Sequence, residues 1–205
     1  DAVGRTGLSG SMRMGAMAEI ANDDEIAFRI RFEERVPPPE AMYFRGPVLS
    51  RFDGREWTRQ EPRRGAPPLP RAELQLLGSP VRYEMTLEPS RLALLPLLEM
   101  TPDRADAAPE LEGVTTRLRH DLQWQTERPV TERLRFRAAA WPLHRHGPRQ
   151  ATLALRDFVE LPPDHNPRTL AWAASLRRQN DLAQADARTL VSALMAHLRQ
   201  GDFVY

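Results

Sequence analysis

Hydrophobic side chains recur at every second position over several short stretches of this chain, and the period changes to that of a helix only near its end. Ile26, Phe28, Ile30 and Phe32 alternate with Ala27, Arg29 and Arg31, the pattern of a strand with one buried and one wet face. Val36-Pro37-Pro38-Pro39 stops it. Val48, Leu49 and Phe52 predict a second strand, Asp53-Gly54 a tight turn that accepts positive φ angles, and Trp57 the returning strand. Pairing resumes with Val81, Tyr83, Met85 and Leu87, then with Leu118, His120, Leu122 and Trp124, then with Leu134, Phe136, Ala138 and Ala140, and finally over Ala151 to Val159. Leu92 to Leu98 reads either as a fully buried strand or as an irregular core crossing, and Pro96 argues against a central place in a sheet. About seven to eight short antiparallel strands with turn signals between them predict a mainly β fold, a β-sandwich or open barrel.

The connections are equally legible. Ala2 to Asn22, rich in Gly and Met, predicts a loop ending in one helical turn around Met14 to Ile20. The Pro- and Arg-rich stretch Glu61 to Leu74 lacks the apolar surface to offset its ordering entropy and is expected to be an exposed, mobile loop. Thr101 to Gly113 reads as another loop. After Leu161 the chemistry changes: Pro162-Pro163 reads as a linker, and Asn166-Pro167 as an N-cap followed by Pro at the first helical position, with a helix running to about Gln179. A second helix is expected from Asp186, with Leu190, Val191, Leu194 and Leu198 on one stripe and Gly201 ending it. The expected division is a β domain over 1–160 and a helical pair over 161–205.

Charge narrows the partners. With 29 basic against 28 acidic residues, nothing pulls the chain globally toward nucleic acid. All the basic residues are Arg, which reads as a compositional bias rather than selected chemistry. The absence of Cys excludes disulfides, thiolate metal sites and a thiol nucleophile. The apolar run Leu92 to Leu98 is far short of the ~20 residues a membrane-spanning helix requires. Asp1 is not an initiator Met, and the residues after Gly201 read as the start of an apolar strand, so the expectation is a piece excised from a longer polypeptide.

Candidate chemistry is thin. His144 and His146 would face the same way on a strand and supply half a metal site, or else belong to a turn of solvated rings. His120 falls in an apolar register, where a hydrogen-bonded core or interface ring is expected. His165 precedes the Asn166 cap and could pair with Asp164, while His197 sits in the last turn of the second helix, favourably placed for the helix dipole. Ser9 and Ser11 invite a nucleophile reading, but neither the Gly-x-Ser-x-Gly order nor a phosphate-loop signature is present. Arg133, Arg135 and Arg137 share one strand face and Arg29 and Arg31 another, either an anion-binding surface or a solvated face balanced by Asp and Glu on neighbouring strands, the reading favoured here. Trp57, Trp124, Trp141 and Trp172 suggest an apolar face, mostly core. These residues assign no catalytic, cofactor-binding or metal-binding role, and no cofactor.

Five segments carry a resemblance that spans nearly the whole length: Thr6-Gly7-Leu8-Ser9-Gly10-Ser11-Met12, Ala27-Phe28-Arg29-Ile30-Arg31-Phe32, the run from Tyr43 to Trp57, Val81 to Pro89, and Gly201-Asp202-Phe203-Val204-Tyr205. In order and spacing they resemble the extracytoplasmic part of bacterial transglutaminase-like membrane proteins of the TgpA type. The resemblance implies a periplasmic segment of an inner-membrane protein, with transmembrane helices preceding it and an enzyme core following. In such enzymes a Cys attacks a glutamine carboxamide, a His relays protons and an Asp orients that His; none of the three can be carried over here, because the matching segments lie past Tyr205. The implied role is a non-catalytic domain, followed by the first two core helices, that supports and positions the missing core. The partners implied are that core, the transmembrane helices and a cell-envelope protein substrate, with no nucleic acid. The alternative is a free-standing periplasmic binding or adaptor module with an Ig-like sandwich.

Overall fold

The structure, a computed structural model, describes residues 10–13, 25–60, 73–148, 153–179 and 182–201. The chain divides into two compact units, Asp1–Leu161 and Pro162–Tyr205. The first is mainly β and antiparallel throughout; the second holds two helices. The strands are β1 (Met12–Arg13), β2 (Phe28–Phe32), β3 (Phe44–Arg45), β4 (Arg51–Phe52), β5 (Glu56–Thr58), β6 (Glu73–Leu76), β7 (Val81–Leu87), β8 (Leu97–Leu98), β9 (Thr116–Leu118), β10 (Trp124–Thr126), β11 (Leu134–Ala140) and β12 (His144–Gly147). The helices are α1 (Pro167–Arg177) and α2 (Ala187–Gln200).

The organising element is β7, paired on one side with β11 and on the other with β2. Its alternation sorts every residue by face: Tyr83, Met85 and Leu87 are fully buried, while Arg82, Glu84 and Thr86 point the other way. The register places Met85 between Ile30 and Phe136 and Tyr83 between Phe32 and Ala138, so three strands present one apolar surface. Against it lie Leu95, Leu97, Leu98 and Trp124, whose burial completes the main core. Fully burying each such side chain contributes about 1.5–3 kcal/mol.

The segment Leu92 to Leu98 crosses this core irregularly, one of the two readings open from sequence. Only Leu97–Leu98 pairs as a strand, with Phe44–Arg45, and Leu95 makes a single bridge to Trp124 around the fully buried Pro96. Polar groups drawn inward find partners: Trp124 Nε1 donates to the Thr101 carbonyl at 2.8 Å, and the Leu98 N–H donates to Tyr83 Oη at 3.1 Å. The outer edge of β11 is covered by Met100–Glu110, whose backbone bonds it at Arg137, Ala139 and Trp141. That close approach explains the buried Ala107 and Ala139, packed with Met100 and Trp141 in a second, smaller core.

Several expectations change. The described strands number twelve in five small sheets rather than seven or eight, because prolines and side-chain-closed turns cut the apolar runs short. Leu118, His120, Leu122 and Trp124 do not form one strand: they straddle the β9–β10 hairpin, in which the Asp121 carboxylate accepts from the Gln123 N–H and Leu122 adopts φ 63°. Leu153–Phe158, expected to be extended, winds as a 3₁₀ helix, consistent with its Leu, Ala and Arg content. The strand expected over Val48 to Phe52 shrinks to Arg51–Phe52. At its turn only Gly54 takes a positive φ, 104°, while Asp53 closes the loop by accepting from the Arg55 and Glu56 N–H groups at 2.8 Å. The exposed loop expected over Glu61 to Leu74 ends earlier, since Glu73 and Leu74 pair with β12. Its residues 61–72, the helical turn around Met14 to Ile20, Ser9, the start of the strand expected from Ala151 and the tail after Gly201 lie outside the described residues.

In the second unit, Asp186 caps α2 as expected, its carboxylate accepting from the Thr189 N–H at 2.8 Å. Asn166 does not cap α1 with its side chain: it sits in the left-handed region, φ 53°, and only its carbonyl enters the helix ladder. Pro167 favours extended backbone before it, but the loop overrides that preference at a residue type that tolerates a positive φ.

Burial pushes the Tyr83 hydroxyl up from 10.0 to about 12. A group raised in this way contributes stability below its unfolded value and loses it as pH climbs through the folded one. Stability is therefore expected to hold to about pH 10 and to fall by roughly 3 kcal/mol toward pH 12. Tyr83→Phe should cost about 1 kcal/mol at neutral pH by orphaning the Leu98 N–H, while blunting the alkaline loss. Denaturant unfolding across pH 7–12 checks both, and an unchanged alkaline limb in the variant would contradict the assignment.

Candidate functional site

The outer face of the β11–β7–β2 sheet carries the densest functional chemistry of the β unit. Five arginines from the two flanking strands and their ends converge on three carboxylates. Glu84, in the middle of β7, lies 2.7 Å from Arg135 and 3.5 Å from Arg31. Glu88, just past the end of β7, lies 2.6 Å from Arg29 and 3.0 Å from Arg133. Arg137 lies 3.7 Å from Glu33. Each of the first two carboxylates thus bridges two strands through a pair of guanidinium groups, the cross-strand arrangement that alternation makes possible.

This is the balanced, solvated face favoured from sequence. The two arginine sets, read there as separate faces, form one surface because β7 separates β2 from β11 by a single strand. Sequence reading named the arginines but not Glu84 and Glu88, although their polar register in β7, between Tyr83, Met85 and Leu87, marked them. The Arg135 hydrogen bond, ahead of the other charges, holds the Glu84 carboxyl below its ordinary 4.5, and Arg133 and Arg29 do the same for Glu88. Because the arginines are largely solvated, such pairs contribute orientation more than energy.

The histidines do not assemble. His144 and His146 lie on β12 opposite Leu76 and Leu74, and the His144 ring donates from Nδ1 to the carbonyls of Trp141 (3.0 Å) and Pro142 (3.2 Å). Burial, and then the neighbouring His144, push His146 down from its ordinary value. His120, expected inside a strand, is exposed on the β9–β10 turn. His165 donates to the Pro163 carbonyl at 2.7 Å, a partner other than the expected Asp164. The His197 ring packs at a 35° tilt against Trp172, ring centroids 4.9 Å apart, between α2 and α1. Among the described residues no group of three or more His, Asp or Glu is placed to hold a metal ion.

Ser11 is spoken for by Glu56, whose carboxyl its hydrogen bond lowers ahead of Arg13. The tryptophans share no common face: Trp124 and Trp141 are buried in the two core clusters, Trp57 stacks on Phe52 at 4.9 Å, and Trp172 belongs to α1. No helix of the described residues is long and apolar enough to cross a membrane.

The helical unit presents a second kind of site, defined by what is uncovered. Neither helix buries a residue, and the α2 stripe leaves Val191 at 57% and Leu198 at 46% exposure, with Met195 beside them. An amphipathic helix draws most of its stability from packing such a stripe.

The family model described as the TgpA N-terminal domain matches residues 1–146. A curated relative, the protein-glutamine gamma-glutamyltransferase of Pseudomonas aeruginosa, is 34% identical over 205 residues, which cover 98% of this chain and 28% of the relative. The crystal structure of the periplasmic domain of TgpA from Pseudomonas aeruginosa matches with a TM-score of 0.78 at 33% identity, over 98% of this chain and 64% of that one. Its ethylmercury-bound form matches with a TM-score of 0.77 at 33% identity, over 97% and 65%. The chain therefore spans less than a third of the curated relative and somewhat under two thirds of the crystallised domain.

Carboxyls held below their unfolded value contribute stability above it and lose that contribution as pH falls through the folded value. Stability is thus expected to begin to decline as pH drops below 4.5, and Glu84→Gln with Glu88→Gln should flatten this limb while leaving the neutral-pH core signal intact. Urea midpoints measured from pH 7 to pH 3 read it directly; identical acid limbs in the variant and the parent would show that the ladder carries no linkage.

Proposed function

Because this chain belongs to the TgpA N-terminal domain family, we propose that it is the non-catalytic extracytoplasmic N-terminal part of a membrane-anchored transglutaminase-like acyltransferase. It supports and positions the catalytic core. In this reading residues 1–160 form the periplasmic β domain and 161–205 the first two helices of that core. The parent sits in a bacterial inner membrane, and the partners are the rest of the core, the transmembrane helices and a cell-envelope protein substrate.

The observation that carries the proposal is the uncovered stripe of α2. A well-capped helix with Val191, Met195 and Leu198 exposed is built to receive another layer, and a following polypeptide segment is the occupant that the partial span of the relatives supports. The chemistry agrees: acyl transfer of this class needs a thiolate, and the chain contains no Cys.

Positioning requires rigidity, and the β unit supplies it through the fully buried Tyr83, Met85 and Leu87 and the edge cover of β11. Two outcomes are expected. The purified 205-residue chain incorporates no amine into, and releases no ammonia from, a glutamine-bearing protein. A polypeptide extended through the next segment of the gene slows amide hydrogen exchange in α2 by at least about tenfold relative to the 205-residue chain, the signature of a helix gaining its packing partner. Turnover without a thiol would overturn the first statement, and unchanged exchange in α2 the second.

A further inference from the structure

The β11–β7–β2 sheet has two edges, and they are treated differently. The backbone of Met100–Glu110 bonds the outer edge of β11, whereas β2 ends the sheet on the other side with no further strand among the described residues. The register identifies the groups left over. The Glu88 N–H donates to the Ala27 carbonyl and the Glu33 N–H to the Arg82 carbonyl, so the odd-numbered residues of β2 face β7 in hydrogen-bonded pairs. The N–H and C=O groups of Phe28, Ile30 and Phe32 therefore point away from β7, and none has a partner among the described residues. Such an edge is a template for one more strand.

The side chains of β2 specify which strand fits. On the core side, Phe28, Ile30 and Phe32 pack against the main core but stay half-buried, while Tyr83, Met85 and Leu87 beside them on β7 are fully buried. Another strand with apolar residues in that register would extend the cover. On the outer side, the Arg29 and Arg31 side chains are 57% and 69% exposed. Each shares its carboxylate with a second arginine, Arg133 at Glu88 and Arg135 at Glu84. With Arg137 beside Glu33, five guanidinium groups meet three carboxylates, which leaves two positive charges in excess. A second copy fits poorly. Aligning two β2 strands antiparallel about Ile30 sets each Arg29 opposite an Arg31, and like charges directly opposite repel.

We propose that the free edge of β2 is a docking site for an extended polypeptide strand in which acidic and apolar residues alternate. Its carboxylates lie beside Arg29 and Arg31, and its apolar side chains continue the row of Phe28, Ile30 and Phe32. Its backbone pairs with the outward N–H and C=O groups of those three residues. The inference goes beyond the positioning role proposed above, since it concerns only the β unit and holds whether or not a catalytic core follows.

The test follows the isotopically labelled 205-residue chain by NMR as an N-acetylated, C-amidated peptide, Val-Glu-Val-Glu-Val, is added to about 1 mM. Without peptide, the amides of Phe28, Ile30 and Phe32 are expected to exchange with solvent fast and those of Arg29 and Arg31 slowly. With it, saturable shifts and at least about tenfold slower exchange are expected at Phe28, Ile30 and Phe32. Val-Lys-Val-Lys-Val should bind at least about tenfold more weakly. So should the acidic peptide N-methylated at its central valine, which keeps the charge but cannot donate to Ile30. Arg29→Glu with Arg31→Glu should reverse the preference between the acidic and basic peptides, and an unshifted Trp124 indole N–H, bonded in the core, reports that this variant is folded. Slow exchange at Phe28, Ile30 and Phe32 in the chain alone would overturn the proposal, because the edge would already be covered. Concentration-dependent shifts there without peptide, the mark of self-pairing, would overturn it too. So would the absence of saturable shifts, or equal binding of the basic or the N-methylated peptide.

Discussion

The β unit depends on one constraint: a single strand, β7, is paired along both edges and buried along one face. Because its side chains alternate, any shift of register by one residue would exchange Tyr83, Met85 and Leu87 for Glu84, Thr86 and Glu88 on the core side. The cost of that exchange fixes the register of β2 and β11 as well, since each is read against β7. The outer face follows from the same rule. With the core residues locked inward, Glu84 and Glu88 must face out, and arginines on the two neighbouring strands are brought within reach of them.

The two units solve the burial problem differently. In the β unit an irregular segment, Leu92 to Leu98, does the work that a second regular sheet would do, and the loop from Met100 to Glu110 closes the exposed edge of β11. In the helical unit Asp186 caps α2 and Trp172 packs at a tilt against His197, yet among the described residues Val191, Met195 and Leu198 of the apolar stripe stay exposed. A β unit with a fully buried central strand face and a helical pair with exposed apolar residues are consistent with the positioning role proposed above.

Where sequence reading and structure part, a polar side chain usually intervened. The apolar alternation around His120 was real, but Asp121 offered the backbone a closed turn and Leu122 took a left-handed conformation, so one expected strand became a hairpin. Asp53 closes its own turn from the side chain and leaves the positive φ to Gly54 alone. The histidines were visible as residue types but not as neighbours. Whether His144 and His146 meet a third ligand depends on what lies across from β12, which no local pattern encodes.

The sequence by itself determined the mainly β class, the central strand Val81 to Leu87, the helix pair with its Asp186 cap and the family, because alternation and capping are short-range signals and motif order is read along the chain without knowing which segments meet in space. Only the tertiary structure decided which carboxylates face the arginines, and that one set of arginines rather than two makes the outer surface. Those facts join residues at least 45 positions apart in the chain, and no local propensity reports which distant strand will become a neighbour.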